Sequence, residues 1–435
     1  MYILYSLALA CALLFSLPWW ALQVLRLGKY RAGLSERLGF VPPRLRHQAK
    51  AGSVWIHAVS VGEVLAVSHL ADELKKSAPQ RPLFVSTTTA TGQKLARERF
   101  GEDYVFFMPL DFGLAVRAYL DLLRPSLLVL AETEFWPNLL HLARKRGAPI
   151  AIVNARVSDR SFPRYRRFRR LFARVLAEVD LFLAQTEEDA RRLREIGAAI
   201  DRVQVSGNLK FDVRSASGSP FQEDLRRILG KDSMVIVCGS TAEGEEELLL
   251  QAFQEVLRRF PSVVMVLAPR HPERFDKVAN LVIAKGIALT RRSSLTATTD
   301  LAASSLSGGV FLLDSVGELA SVYALAGVAF VGGSLLAGVG GHNILEPAQH
   351  GVPVLAGPYT ANFREIVGIF ERGEGIKIVT AENLSGGLLR LLADGQERRR
   401  LGEKARQLFL DNTGATDRTL QALQTLLRKQ PRQLP

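Results

Sequence analysis

Cysteine is nearly absent from this chain: two in 435 residues, Cys11 and Cys238. They lie far apart, one in an apolar N-terminal run and one in an expected strand, without metal-ligand spacing. That points to a reducing compartment and no structural disulfide. The sequence also lacks a Gly-Lys-Ser/Thr phosphate loop, an Asp-x-Asp pair and any His/Cys cluster. Walker-type nucleotide hydrolysis is excluded, and no metal site is expected. Charge is wholly missing from residues 1–25, which are mostly Leu, Ala, Phe and Tyr. At 1.5 Å rise per residue that stretch is long enough to cross a hydrocarbon core of about 30 Å. A cleaved signal peptide and a retained membrane anchor both fit such a run. No basic residue precedes it, and Trp19 and Trp20 stand where an interfacial aromatic belt would, so the anchor is the better reading. Arg26, Lys29, Arg31 and Arg37 follow at once, and the positive-inside rule puts the remaining chain on the cytoplasmic face. The anchor is expected to take no part in chemistry, because every candidate site residue lies after residue 56.

Hydrophobic content of 48% excludes disorder, and the length calls for two domains of about 200 residues. From residue 53 short apolar runs alternate with amphipathic segments, the pattern of βα units on a mainly parallel sheet. The first series covers 53–60, 82–88, 104–110, 127–133, 149–155, 180–186 and 203–208; the second covers 234–240, 263–269, 310–315, 328–334 and 353–358. VRSASGSPFQ (213–222) interrupts the rhythm and reads as an interdomain linker. The Ser/Thr/Gly-rich segment 291–309 reads as a surface excursion. The expected organisation is an anchor over 1–25, an N-terminal domain over 26–212 and a C-terminal domain over 213–435. The expected fold class is α/β, with two doubly wound domains facing a cleft and ligands beyond the carboxyl ends of the strands.

Positive charge is uneven. Residues 1–212 hold 31 Lys/Arg against 20 Asp/Glu, net +11, and residues 213–435 hold 25 against 23, net +2. The densest cluster is Arg156, Arg160, Arg164, Arg166, Arg167, Arg169, Arg170 and Arg174, opposed by Asp159. Tyr165 and Phe168 interleave with it, but two rings make a thin stacking platform and no groove-reading motif is present, so nucleic acid is not the expected partner. Beside a membrane anchor, anionic lipid fits better. A solvated helix face is the plain alternative.

The stretch VGGSLLAGVGGHNILEPAQHGVPVLAGP (331–358) reads as a phosphate cradle. Glycines at 332, 333, 338, 340 and 341 let backbone N–H groups approach an anion, and a helix start follows. A nucleotide or nucleotide-sugar is the natural ligand; His342, Asn343 and Glu346 add polar groups that a linker would not need. Three expected strands end in Ser-x-x-Glu: Ser60 to Glu63, Ser240 to Glu243 and Ser315 to Glu318. Each reads as a capping box or as a chemical site. At the mouth of the first strand, beside His57, Glu63 is suited to take a proton from a sugar hydroxyl; Glu318 is suited to accept from ribose hydroxyls. AETEFWPN (131–138) sets Glu132 and Glu134 close together, where at least one carboxylate needs a partner. Lys210, in SGNLKFD (206–212), is the candidate. In APRHPERF (268–275), Arg270 has the planar fork that grips phosphate.

WIHAVSVGEV, TTTATG, ETEFWPN, NARVSDRSF, SGNLKFD, GSTAEGEE, APRHPERF and GGHNILEPA occur in an order and spacing that resembles the 3-deoxy-D-manno-octulosonic acid (Kdo) transferase family of Gram-negative bacteria, over nearly the whole chain. The resemblance implies the GT-B fold. It further implies inverting, metal-independent and cofactor-free transfer of Kdo from CMP-Kdo to the lipid A precursor lipid IVA, at the cytoplasmic side of the inner membrane. By motif it makes Glu63 the general base, and Glu132 and Lys210 the supports of the transition state. CMP would be held by Pro269 and Arg270, by Val316, Gly317 and Glu318, and by Asn343, Ile344, Leu345 and Glu346. A tethered non-catalytic binder and a nucleotide-sugar epimerase are the alternatives. Glu63 argues against the first, and the anchor and basic face against the second.

Overall fold

The computed structural model describes residues 1–27, 33–212, 220–229, 233–295 and 306–428, with side chains to residue 16 in the first of these. The expected linker 213–222 and excursion 291–309 therefore lie partly outside the described residues, as do the side chains of Trp19, Trp20, Arg26, Lys29 and Arg31. The chain divides into two compact units, Met1–Val213 with Asn412–Pro435, and Arg214–Asp411.

In the first unit seven parallel strands form one sheet: β1 (Val54–His57), β2 (Leu83–Thr87), β3 (Val105–Phe107), β4 (Leu127–Ala131), β5 (Ile150–Ala155), β6 (Leu181–Ala184) and β7 (Val203–Val205), in the order β3-β2-β1-β4-β5-β6-β7. Val54 is in register with both Leu83 and Leu127. The inner runs form central strands because helices cover both faces, so the side chains on both faces are mostly apolar. Trp55, Phe84, Leu128, Leu130, Ile150 and Ile152 fill the core on one face. Val54, Ile56, Leu83, Val85, Leu127, Val129 and Val153 fill the other.

The second unit repeats the plan with β8 (Val235–Thr241), β9 (Val264–Pro269), β10 (Leu289–Arg291), β11 (Val310–Leu312), β12 (Val328–Val331), β13 (Val354–Ala356) and β14 (Ile376–Ile378), in the order β10-β11-β9-β8-β12-β13-β14. Strand order reverses between β1 and β4 in the first unit and between β8 and β12 in the second. Such reversals open a crevice at the carboxyl ends of the strands.

Two expectations are corrected. The C-terminal domain does not extend to residue 435: the helix Ala415–Arg428 sends Ala415, Leu423 and Leu426 into the second core of the first unit. Asp212 ties it there, accepting from the N–H groups of Gly414, at 2.7 Å, and Thr416. Arg418 Nε adds a bond of 2.8 Å to Ser206 O. The expected single-pass anchor is not supported either. Residues Tyr2–Leu27 are helical, but among the described residues no helix is long and apolar enough to cross a membrane. Tyr2 and Ser6 on its first turns bond to the body of the unit, whereas Ile3, Leu4, Leu7, Leu14 and Phe15 are exposed.

Candidate functional site

At the reversal in the first unit, β1 ends at His57 and the chain turns into the helix Val61–Ser77. Glu63, in its first turn, does not complete the expected capping box. Ser60 makes no side-chain cap bond to the helix; its hydroxyl donates to Glu63 Oε1 at 3.1 Å, and Glu63 Oε2 accepts from Val59 N–H at 2.8 Å. Burial pushes the Glu63 carboxyl up to about 7, with the negative charges of Glu132 and Glu134 adding to the rise and the two hydrogen bonds opposing it. A carboxyl poised near neutral pH is what a general base requires. His57 is fully buried, and burial holds its imidazole down at about 4. Its Nδ1 bonds to Ser86 O and Oγ at 3.1 and 2.9 Å, and its ring meets Trp136 edge-on at 6.1 Å.

Across the reversal β4 runs into the loop of Glu132, Glu134 and Trp136. Glu132 has φ 56°, a left-handed conformation uncommon for a side-chain-bearing residue, and its N–H donates to Val153 O at 2.9 Å. Its carboxylate lies 3.7 Å from Lys210 Nζ, so the expected partnership forms. Glu134 instead accepts from the Trp136 indole at 2.9 Å, and burial raises its carboxyl. A polar network missed in the sequence holds Lys210 in place. Asn154, with φ 53°, accepts from Leu209 N–H at 3.0 Å and through its carbonyl from Gln185. Gln185 accepts from Asn208, and Asn208 accepts from Lys210 N–H. The readable signal was an amide side chain at or just past the end of each strand: Asn154 in IAIVNA, Gln185 in LFLAQT and Asn208 in VQVSGN.

The reversal in the second unit corrects the phosphate-cradle reading. N–H groups of Gly333, Ser334 and Leu335 do converge on an anion, but it is the carboxylate of Glu245, at 2.7, 2.9 and 2.7 Å. Ala242 N–H adds a fourth bond at 2.8 Å. Glu245 is fully buried, so this part of the loop is filled from within. Its neighbour Glu246 accepts from Thr241 and, through both oxygens, from Arg274 at 2.8 Å. The expected Ser240–Glu243 box is absent: Ser240 has φ 54° and Glu243 pairs with Lys277. The helix start after the glycines is a helix of five residues, Leu345–Gln349, whose first N–H is taken by Asn343 Oδ1 at 3.1 Å.

The remaining candidates are brought together in part. Pro269 is buried at the end of β9, while Arg270 is exposed with its N–H on Thr241 O at 3.0 Å. The Arg270 charge acts on both His342 and Glu346. Burial, with Arg270 and His271, holds the His342 ring at about 4, and burial raises the Glu346 carboxyl against its bond from Asn343 at 3.2 Å. Ile344 and Leu345 are buried, so only their backbone can meet a ligand. Val316 is exposed and Gly317 stands in open space with φ 92°. Glu318 is gripped by Arg292, at 3.0 Å to each oxygen, and by the Ser315 hydroxyl, so a ribose hydroxyl would share a carboxylate already engaged. Among the described residues no group of three or more His, Cys, Asp or Glu is placed to hold a metal ion.

The family model described as 3-Deoxy-D-manno-octulosonic-acid transferase (kdotransferase) matches residues 32–213, and that of glycosyl transferases group 1 matches residues 223–408. The chain is similar to a 3-deoxy-D-manno-octulosonic acid transferase of Haemophilus influenzae, with 33% identity covering 92% of this chain and 93% of that protein. A protein of the same description from Bordetella pertussis is 35% identical, covering 87% and 88%. Among solved structures, UDP-GlcNAc 2-epimerase from Neisseria meningitidis bound to UDP-GlcNAc superposes with a TM-score of 0.55 at 14% identity, covering 86% of this chain and all of that one. At that identity the likeness is one of fold, and the two parallel sheets are GT-B-like. With identity of 33–35% over most of both chains, the chain belongs to the 3-deoxy-D-manno-octulosonic acid transferase family of glycosyltransferases.

Proposed function

We propose that this glycosyltransferase moves Kdo from CMP-Kdo onto the lipid A precursor lipid IVA, with inversion and without metal or cofactor, at the cytoplasmic face of the inner membrane. The observation that carries the reading is Glu63: a carboxyl at the mouth of β1, fixed by an amide and a hydroxyl and raised to about 7. It takes the proton from an acceptor hydroxyl as that oxygen bonds to the anomeric carbon of Kdo, while the bond from that carbon to the phosphate oxygen breaks and CMP leaves with the electron pair. Attack opposite the leaving group inverts the centre. Glu132 and Lys210, paired at 3.7 Å, steady the charge that develops on the sugar. Arg270, Asn343 and Glu346 bind the cytidylate, with the backbone of Pro269, Ile344 and Leu345 and the Val316–Glu318 turn at its rim.

The membrane part of the reading is supported by two surfaces of the first unit. The N-terminal helix exposes Ile3, Leu4, Leu7, Leu14 and Phe15. The helices Phe162–Arg167 and Arg169–Leu176 carry exposed arginines with Phe168 and Leu171 about half exposed. Apolar side chains that enter a lipid surface beside cations that meet its phosphates suit an anionic acceptor better than nucleic acid. The test is a product mass. Purified full-length chain given CMP-Kdo and detergent-dispersed lipid IVA should yield lipid heavier by whole Kdo residues plus free CMP. Release of CMP without heavier lipid, or no turnover by wild type, would reject the reaction; the mass also counts how many Kdo residues are added.

A further inference from the structure

The first turns of the helix Tyr2–Leu27 touch the body of the unit at the one helix that continues the carboxylate loop. That helix, Pro137–Lys145, starts directly after Trp136, its N-cap, which gives no side-chain capping bond. The free N–H groups of its first turn need an outside acceptor. Asp111, 1% exposed, supplies it: Oδ2 accepts from Asn138 N–H at 3.0 Å and Oδ1 from Leu139 N–H at 2.8 Å. The Tyr5 hydroxyl faces the same carboxylate, and the Asn138 side-chain amide donates to Ser6 Oγ at 3.0 Å and to Asp111 O. One turn on, Tyr2 stacks on His141 with ring centroids 3.8 Å apart, and both bond to Glu178 Oε1, at 2.7 and 2.9 Å. Residues 2, 5 and 6 thus meet residues 138 and 141, which share a face of the helix. A tether to lipid has no use for hydroxyls aimed at a buried carboxylate, since each costs desolvation unless it is bonded.

We propose that Tyr5 and Ser6 are positioning residues for sugar transfer: through Asp111 and Asn138 they fix the start of Pro137–Lys145, and with it Trp136 and the loop that presents Glu132 and Glu134. This replaces the expectation that residues 1–25 take no part in chemistry, and it rests on the reading of Glu132 as part of the transfer site. Losing the two hydroxyls leaves Asp111 to hold the helix start unsupported from the N-terminal helix and leaves Asn138 with its bond to Asp111 O only. The carboxylates then sample geometries in which Glu132 and Lys210 no longer meet the sugar together.

The test uses full-length protein in detergent, comparing wild type with a Tyr5→Phe, Ser6→Ala double variant. Ser16→Ala is the control, because its hydroxyl bonds within its own helix, to Ala12 O at 2.7 Å and Leu13 O at 3.1 Å. Amide deuterium exchange across residues 132–142 is read alongside kcat and donor KM on dispersed lipid IVA. The double variant should exchange the Asn138 and Leu139 amides roughly tenfold faster and lose roughly tenfold in kcat at unchanged donor KM, with Ser16→Ala matching wild type. Unchanged exchange overturns the proposal whatever the rate. So does a kcat within about twofold of wild type when Glu132→Gln is slow. Glu132→Gln transferring at the wild-type rate instead removes the loop from the reaction and overturns both the transfer-site reading and this one.

Discussion

The acid limb of the pH–rate profile tests Glu63 by number. Its carboxyl, raised to about 7 by burial and by Glu132 and Glu134, works as a base only when ionised. The ionised fraction is about 9% at pH 6 and about 91% at pH 8, so kcat/KM should climb about tenfold between them. A glutamate at its ordinary value near 4.5 would be about 97% ionised at pH 6, and the profile would be flat there. Glu63→Gln should lower the rate by about 10²- to 10⁴-fold, roughly 3 to 5 kcal/mol of barrier, and erase the limb. Stability moves the other way. A folded value above the unfolded one means that the folded protein holds this proton more tightly. The stabilisation is full below about 4.5 and is lost as pH rises through about 7. The span of about 2.5 pH units bounds that loss at about 3 kcal/mol, less for the exposed part of the group. Glu63→Gln should therefore match wild type in melting temperature at pH 5 and exceed it at pH 8, while being nearly inactive at both. Initial rates and thermal unfolding from pH 5 to 9 measure both effects. A flat limb between pH 5.5 and 8, or a variant within a few-fold of wild type where chemistry limits the rate, would refute the base assignment.

Glu245→Ala empties the amide nest and leaves the N–H groups of Ala242, Gly333, Ser334 and Leu335 without their acceptor. Each buried unmet group costs about 1–3 kcal/mol, so a loss of at least about 3 kcal/mol in denaturant unfolding is expected, and a change under about 1 would contradict the nest. Changing Arg164, Arg166 and Arg167 together to Ser should weaken binding to anionic vesicles by about 1 kcal/mol per charge and flatten its salt dependence, with CMP binding unchanged by calorimetry. Equal salt sensitivity in both proteins would separate the cluster from lipid. Asp212→Ala should destabilise the protein by about 1–2 kcal/mol through loss of the cap on Ala415–Arg428, seen as faster deuterium exchange in that helix; exchange like wild type would deny the tie.

Twelve strands could be read in the sequence, most of them because they are inner strands or carry long apolar runs; β7, an edge strand reading VQV, was placed by the alternation of strands and helices before it. The two that escaped, β10 and β14, are the edge strands of the second sheet. Each has three residues, LTR and IKI, and most of these are half exposed; an edge strand has neighbours on one side and needs no apolar run. Glu63, Glu132 and Lys210 were legible because each follows a strand at a reversal of the sheet order or closes the sheet. Glu245 was not: its position in an acidic run beside a turn looks like a solvated helix start, and only the fold reveals that the glycine loop, 88 residues later, wraps it. The anchor reading is not supported for a related reason. Apolar composition measures an affinity for lipid and for protein alike, and the polar atoms that decide between them, on Tyr2, Tyr5 and Ser6, are the weakest part of that signal.

The return of Ala415–Arg428 to the first unit also sets an order of events during synthesis. This helix shares a core with Val64, Val67, Leu70 and Leu74 of the helix that carries Glu63. Until it emerges, that helix lies partly uncovered while the ribosome makes the intervening unit. About 200 residues at roughly 5–20 per second take on the order of 10–40 s. In a nascent chain the helix that carries Glu63 thus gains its full cover only once Ala415–Arg428 has emerged. A chain cut short anywhere in the second unit presents a greasy flank to chaperones and proteases rather than a half-working enzyme.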